Sequence, residues 1–265
     1  MDARSIKYRF GDAEFFDWLD ELADRYERPE FIHNDPIQVP HRFSKKQDVE
    51  IAGFFASLFA WGQRKTIINK ANELMRRMDD APYDFLLNSN EREWAVFRGF
   101  VHRTLNEDDV LGLLGFLKEW YSQYESLETA FLVDDGEGWT ARNALKVFHL
   151  RVERSNCLMA RTWKHVPSVV SGSTCKRLVM YLRWMVRSSE RGVDFGIWGE
   201  IPASGLLLPL DVHVSRVAVE MDLLKQKKSY RWADVEELGD RLSGGECTDV
   251  GRYDFALFGL AVNLG

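Results

Sequence analysis

Cysteine is scarce in this 265-residue chain: Cys157, Cys175 and Cys247 lie far apart and are odd in number. That count fits reduced thiols and speaks against a disulfide framework or a four-thiolate cluster, so neither zinc nor an iron–sulfur centre is expected. Long apolar runs are missing as well. No stretch reaches the ~18 residues that a membrane span needs, and the opening MDARSIKYRFGD has no hydrophobic core of a secretion signal. The expectation is a cytoplasmic protein without a membrane partner. Strict alternation of apolar and polar residues never persists, which argues against strands, and there is no internal repeat or low-complexity tract. Glycine gathers only in DDGEG (134–138) and SGGE (243–246), which read as connectors.

What is present is the composition of a globular protein, 45% hydrophobic, 13% aromatic and 29% charged. The length suits one large domain or two intimate lobes. Helical periodicity dominates. In GDAEFFDWLDELADRYE (11–27), Phe15, Trp18, Leu19 and Leu22 recur at helical intervals, and prolines 29, 36 and 40 then predict an extended loop. Ser44 and Gln47 form a capping-box pattern ahead of DVEIAGFFASLFAW, which is apolar on most sides and is expected at the centre of the core. Pro82, Asn106 and Thr140 stand where further helices should begin. The pattern predicts an all-α fold of about a dozen helices.

Charge is distributed unevenly. The 41 acidic and 35 basic residues leave a net charge of −6, which speaks against indiscriminate coating of nucleic acid. Between Arg161 and Ser189, however, there are six basic residues and no Asp or Glu, so the rest of the chain holds 29 basic against 41 acidic residues. One cationic face on an acidic body suits a docking surface for a polyanion. A solvated helix face that lacks acids explains the same stretch equally well.

Within it lies GSTCKRLVMYLRWMVR (172–187). Cys175, Leu178, Val179, Leu182, Met185 and Val186 make the buried stripe of an amphipathic helix, with Lys176, Arg183 and Arg187 on another side. The turn Ser171-Gly172-Ser173-Thr174 would leave free backbone N–H groups for an approaching anion. Turn, helix start and basic stripe together predict a phosphate grip. Further on, LPLDVHVSR (208–216) places Asp211 as the N-cap of a helix over 212–224, at the positive end of its dipole. Taken alone, Lys176 is a surface lysine, Asp211 a structural cap, His213 a half-buried imidazole and Arg216 a surface charge.

A glycine four residues before a lysine at a turn-to-helix junction, followed by an apolar run, a proline and D-x-H-x-x-R, resembles the helix-hairpin-helix superfamily of DNA glycosylases. Endonuclease III and the 8-oxoguanine DNA glycosylases belong to it. The resemblance covers about residues 45–225, and its specific parts are the two later motifs. It implies that Lys176 and Asp211 are the catalytic pair. FFASLFAWGQRKTIINKANELM (54–75) resembles an early helix, turn and second helix of that superfamily, so Gln63 would fill the space left by an extruded base and Arg64 and Lys65 would hold phosphates. Gly172, Ser173, Thr174, Arg177, Arg183 and His213 complete the expected DNA contacts. Thr174 stands where the superfamily commonly has a second glycine, and the 35-residue interval from Lys176 to Asp211 exceeds that of endonuclease III. The preceding RTWKHVPSVVSGST is also long for a hairpin, and these departures look more like the archaeal 8-oxoguanine glycosylase branch. The segments KRLVMYLRWMVR and YDFALFGL also resemble a bacterial family of uncharacterised function.

The resemblance implies two helical lobes with the site in the cleft between them: 45–160 as a bundle, 1–44 with 206–265 as the second lobe, and 161–205 bridging. It implies excision of a damaged base, 8-oxoguanine by preference, by a monomer that needs no cofactor or metal. Breaking the bond to C1′ builds positive charge on the sugar, which Asp211 would stabilise, and the Lys176 amine would attack C1′. The target base must leave the stack first. Phe59, Trp61, Trp163, Trp184, Trp198, Phe255 and Phe258 are available to face it. Two other classes remain open: a DNA-binding module that has lost catalysis, and a regulator in which LFAWGQRKTIINKANELMRR is a helix-turn-helix.

Overall fold

The structure, a computed structural model, describes residues 6–90, 92–133, 138–244 and 249–263. Among these residues the chain runs through ten α-helices and one short hairpin, so the fold is all-α in its main elements. In order they are α1 (Phe15–Tyr26), α2 (Lys46–Phe59), α3 (Arg64–Arg77), α4 (Pro82–Asn88), β1 (Val101–His102), β2 (Leu105–Asn106), α5 (Glu107–Tyr121), α6 (Ala141–Ser155), α7 (Lys176–Val186), α8 (Val212–Glu220), α9 (Trp232–Leu242) and α10 (Tyr253–Asn263). No helix among the described residues is long and apolar enough to cross a membrane. Most of the two glycine-rich connectors, and Cys247, lie outside the described residues. The chain divides into two compact units, one of Met1–Phe31 with Val169–Gly265 and one of Ile32–Ser168.

In the Ile32–Ser168 unit α2 is the central helix, and every residue from Asp48 to Phe59 is buried. Burying each phenylalanine contributes about 1.5–3 kcal/mol. Phe54 lies edge-on to Phe148, which stacks on Phe131 at 4.2 Å. Glu50 is fully buried within this apolar helix. Its carboxylate accepts from the Tyr121 hydroxyl, the Ser126 hydroxyl and the Leu127 N–H, so its desolvation is offset by three hydrogen bonds. The expected Ser44–Gln47 capping box does not form. The helix begins after Lys45 with no side-chain cap, and the Gln47 amide instead donates to the Glu125 carbonyl.

Other caps match the expected starts. Pro82 occupies the first turn of α4, Asn106 and Asp109 make a capping box on α5, and the Thr140 hydroxyl accepts from Asn143 N–H on α6. The Asn106 and Thr140 caps are each worth about 1 kcal/mol. The proline segment is not extended as expected. It folds into 3₁₀ turns over Pro29–Asn34, Pro36–Gln38 and Pro40–Arg42, because proline's fixed φ suits the first position of a helical turn. Each strand of the hairpin spans two residues, too few for an alternation to register.

In the other unit α1 and α8 both pack on α10. Phe15, Leu19, Leu22 and Ala23 form the buried face of α1. Gly259 of α10 is buried where the Tyr26 ring presses on its backbone, so a Cβ there would overlap the ring. Gly259→Ala is expected to destabilise the protein by about 1–3 kcal/mol through overpacking, read as a lower melting temperature. A melt unchanged from the parent would show that Tyr26 can turn aside.

Candidate functional site

The turn before α7 is built from backbone constraints. Gly172 takes φ +81°, a left-handed conformation suited to glycine, and its N–H donates to the Val169 carbonyl at 3.0 Å. The Ser173 hydroxyl accepts from Cys175 N–H at 3.1 Å. Cys175 itself is left-handed at φ 46°, which costs about 1 kcal/mol or more for a residue with a Cβ. Its side chain is buried, and burial pushes the thiol pKa up to about 11, so it is a core group and not a nucleophile. The left-handed step at Cys175 turns the chain into α7, with Lys176 as its first residue.

Asp211 caps α8. A single oxygen, Oδ1, accepts from both His213 N–H and Val214 N–H at 2.8 Å. The other oxygen, Oδ2, stands 3.1 Å from the Lys176 Nζ. Two residues 35 positions apart thus meet at the first turns of two helices. The Lys176 side chain is 31% exposed and that of Asp211 14%, so both ends of the pair remain reachable from solvent. An ion pair of this exposure contributes on the order of 1 kcal/mol or less to stability. His213, the second residue of the same helix, is exposed, with its ring 6.4 Å from that of Phe258.

Of the basic stripe expected on α7, Arg183 and Arg187 do not form a surface. Arg183 is 2% exposed and pairs with Asp194 and Asp254. Arg187 is 4% exposed and pairs with Glu27 at 2.7 Å, Asp194 at 2.5 Å and Asp249 at 2.8 Å. Both guanidinium groups also lie over the Phe255 ring. Burial of the Glu27 carboxyl raises its pKa, against the pull of Arg187. Arg183 therefore cannot take the DNA contact expected of it. The acid-free segment draws its carboxylates from other parts of the chain. Arg177 is only partly exposed, and burial lowers its pKa. Gly172, Ser173 and Thr174 remain partly exposed beside the pair.

Gln63, Arg64 and Lys65 belong to the Ile32–Ser168 unit, where all three are exposed at the start of α3. Gln63 is the N-cap position but makes no side-chain cap bond. Beside them Trp61 is 49% exposed, and the Arg103 guanidinium lies 4.4 Å over its ring. Gly62 allows this stacking, since a side chain there would overlap Arg103. Phe59, Trp184, Trp198 and Phe255, named above as available to face a base, are core residues at 0–1% exposure. Trp163 packs against His149. Of those seven aromatics, Trp61 alone is a large exposed one.

Sequence reasoning missed Arg103, which is marked only by its place in a hairpin turn, and Arg231. The Arg231 guanidinium lies 3.5 Å from the position a Cβ would take on Gly172, and the next residue, Trp232, donates its N–H to the Gly172 carbonyl at 3.2 Å. Among the described residues no group of three or more His, Cys, Asp or Glu side chains is placed to hold a metal ion.

A helical protein with an ammonium held on the carboxylate of a helix cap is the class that these elements define. Residues 35–263 match the model of a family described as "Protein of unknown function (DUF2400)", and the chain belongs to that family. Comparison with curated proteins gave no match, and comparison with solved structures gave none.

Proposed function

We propose that this protein is a DNA glycosylase of the helix-hairpin-helix type with abasic-site lyase activity, acting on an oxidised base, with 8-oxoguanine as the first candidate. The observation that carries the reading is the 3.1 Å approach of the Lys176 Nζ to the Asp211 Oδ2, the two residues singled out by the motif resemblance. A purely structural cap has no need of a lysine, because Oδ1 alone satisfies both N–H groups of α8.

The chemistry follows from the two groups. As the bond from C1′ to the base breaks, the base leaves with the electron pair and takes up the proton that the Lys176 ammonium gives up, and the amine so freed forms a bond to C1′. The carboxylate of Asp211, fixed by its cap bonds, stabilises the positive charge on the sugar during that exchange. Transfer of a proton from that nitrogen to O4′, as the C1′–O4′ bond opens with its electron pair on the oxygen, gives the protonated imine. Removal of a C2′ proton then expels the 3′ phosphate. Every step uses groups of the chain and of the DNA. Extrusion of the base costs a few kcal/mol and least for a damaged or mispaired one.

The test is a panel of duplex oligonucleotides carrying 8-oxoguanine, uracil, thymine glycol or an abasic site, incubated with protein and then borohydride. Hydride reduction of the imine is expected to leave a covalent complex with at least one of them. Base release without trapping would remove the lysine nucleophile and leave a hydrolytic glycosylase. Neither trapping nor release from any substrate would overturn the reading.

A further inference from the structure

The segment between Asp222 and Asp234 holds four cations, Lys225, Lys227, Lys228 and Arg231, and no carboxylate. It joins α8, which Asp211 caps, to α9. All four cations are exposed. Lys227 is tied to Asp234, whereas among the described residues no carboxylate pairs with the side chains of Lys225, Lys228 or Arg231.

The segment has a defined path. Asp222 turns the chain at φ 59°, the Tyr230 hydroxyl reaches the Lys225 carbonyl at 3.5 Å, and Asp234 accepts from Arg231 N–H at 2.7 Å. Gln226, Lys227 and Tyr230 wall a recess of about 330 Å³ with Ser215, Arg216, Val219 and Glu220 of α8, the last its single carboxylate. At its far end the segment is fastened to the turn before Lys176 by the Trp232 N–H bond to the Gly172 carbonyl, with the Arg231 guanidinium against Gly172. A row of cations therefore leads to the turn that delivers Lys176. The α7 arginines, committed to their own carboxylates, leave that task open.

We infer that residues 225–231 are the arm with which this unit grips the phosphate backbone of the DNA strand brought to Lys176 and Asp211. The inference rests on the DNA reading above and extends it to residues outside both motifs. Regularly repeated anions suit the arm: seven extended residues reach up to about 23 Å, and a DNA strand carries one charge per ~3.4 Å of axis. Gln226, Ser229 and Tyr230 add neutral partners of the kind that contact phosphate oxygens. The arm has no Leu, Ile, Phe or Trp between 225 and 231 with which to enter a bilayer surface, which favours nucleic acid over anionic lipid.

The test is fluorescence anisotropy of a labelled duplex containing a tetrahydrofuran abasic analogue, titrated with full-length protein at several salt concentrations. Removing one cation from the phosphate backbone should lower the slope of log K against log salt by ~0.9. The double variant K225Q/K228Q should lower it by ~1.8 and Arg231→Gln by ~0.9, with affinity at ~0.1 M salt weakened on the order of 10-fold for each cation removed. K225E/K228E should bind more weakly still. Lys146→Gln, an exposed cation on α6, should leave the slope unchanged. Overturning results are an unaltered slope in the loop variants, an equal fall in Lys146→Gln, or a parent that binds anionic phospholipid vesicles and not the duplex. Melting curves on the same preparations show that the variants are folded. Borohydride trapping separates this inference from the reading it rests on. Loop variants that lose binding while the parent never traps would keep the arm and remove the lyase. A trapping parent with loop variants of unaltered slope would do the reverse.

Discussion

Lys176→Gln is expected to abolish borohydride trapping and strand cleavage, a loss of at least ~10⁴-fold in the rate of the covalent step, the scale on which removal of a nucleophile acts. Binding to a duplex with an abasic analogue should change by less than ~10-fold, since at most one phosphate contact disappears. The fold should also tolerate the change, because the pair contributes on the order of 1 kcal/mol or less and the Lys176 side chain is 31% exposed. The measurements are gel-resolved trapping, single-turnover cleavage and a melt on one preparation. A variant that traps at the parent's rate would show that another amine carries the chemistry. One that loses binding and trapping together would make Lys176 a phosphate contact.

The second large effect belongs to Asp211→Asn, and the division of labour between its two oxygens makes the outcome sharp. Asparagine caps helices about as well as aspartate, and the retained Oδ1 can still accept from His213 N–H and Val214 N–H. What changes is the atom facing Lys176: an amide NH₂ in place of Oδ2, a donor against a donor. The melt should therefore shift by the equivalent of about 1 kcal/mol or less. Base release under single-turnover conditions should fall by at least ~100-fold, the effect of removing one preorganised electrostatic group. An asparagine variant that melts and excises like the parent would reduce Asp211 to a cap and remove the mechanism.

Helix starts at Asn106, Thr140 and Asp211 were legible because each is decided within one turn of chain, by a side chain and the N–H groups beside it, and the one at Pro82 because proline's fixed φ suits a first turn. The Ser44 box failed because its partner glutamine had a distant carbonyl to bond, the one at Glu125. The same distinction governs the site. Lys176 and Asp211 could be chosen by motif, and their meeting depends on how α7 and α8 pack, which no local window reports. Arg183 and Arg187 look like a free cationic stripe only while Glu27, Asp194, Asp249 and Asp254 are out of view. Conversely, the acid-free run from Lys225 to Arg231 was visible as composition, but nothing local ties it to Gly172.

The buried arginine cluster also sets an order of assembly. Glu27 comes from the first thirty or so residues, while Arg187, Asp194, Asp249 and Asp254 follow the whole of the Ile32–Ser168 unit. A chain emerging from the ribosome completes that unit, contiguous in sequence, while Glu27 still has no arginine to meet. The ring closed by Glu27 and Arg187 spans 160 positions, so its entropic cost comes late and is recovered only when the last helix, with Asp254, arrives. Truncation before Asp249 therefore strips Asp249 and Asp254 from two arginines already committed to the interior, and its damage reaches back to the N-terminal helix.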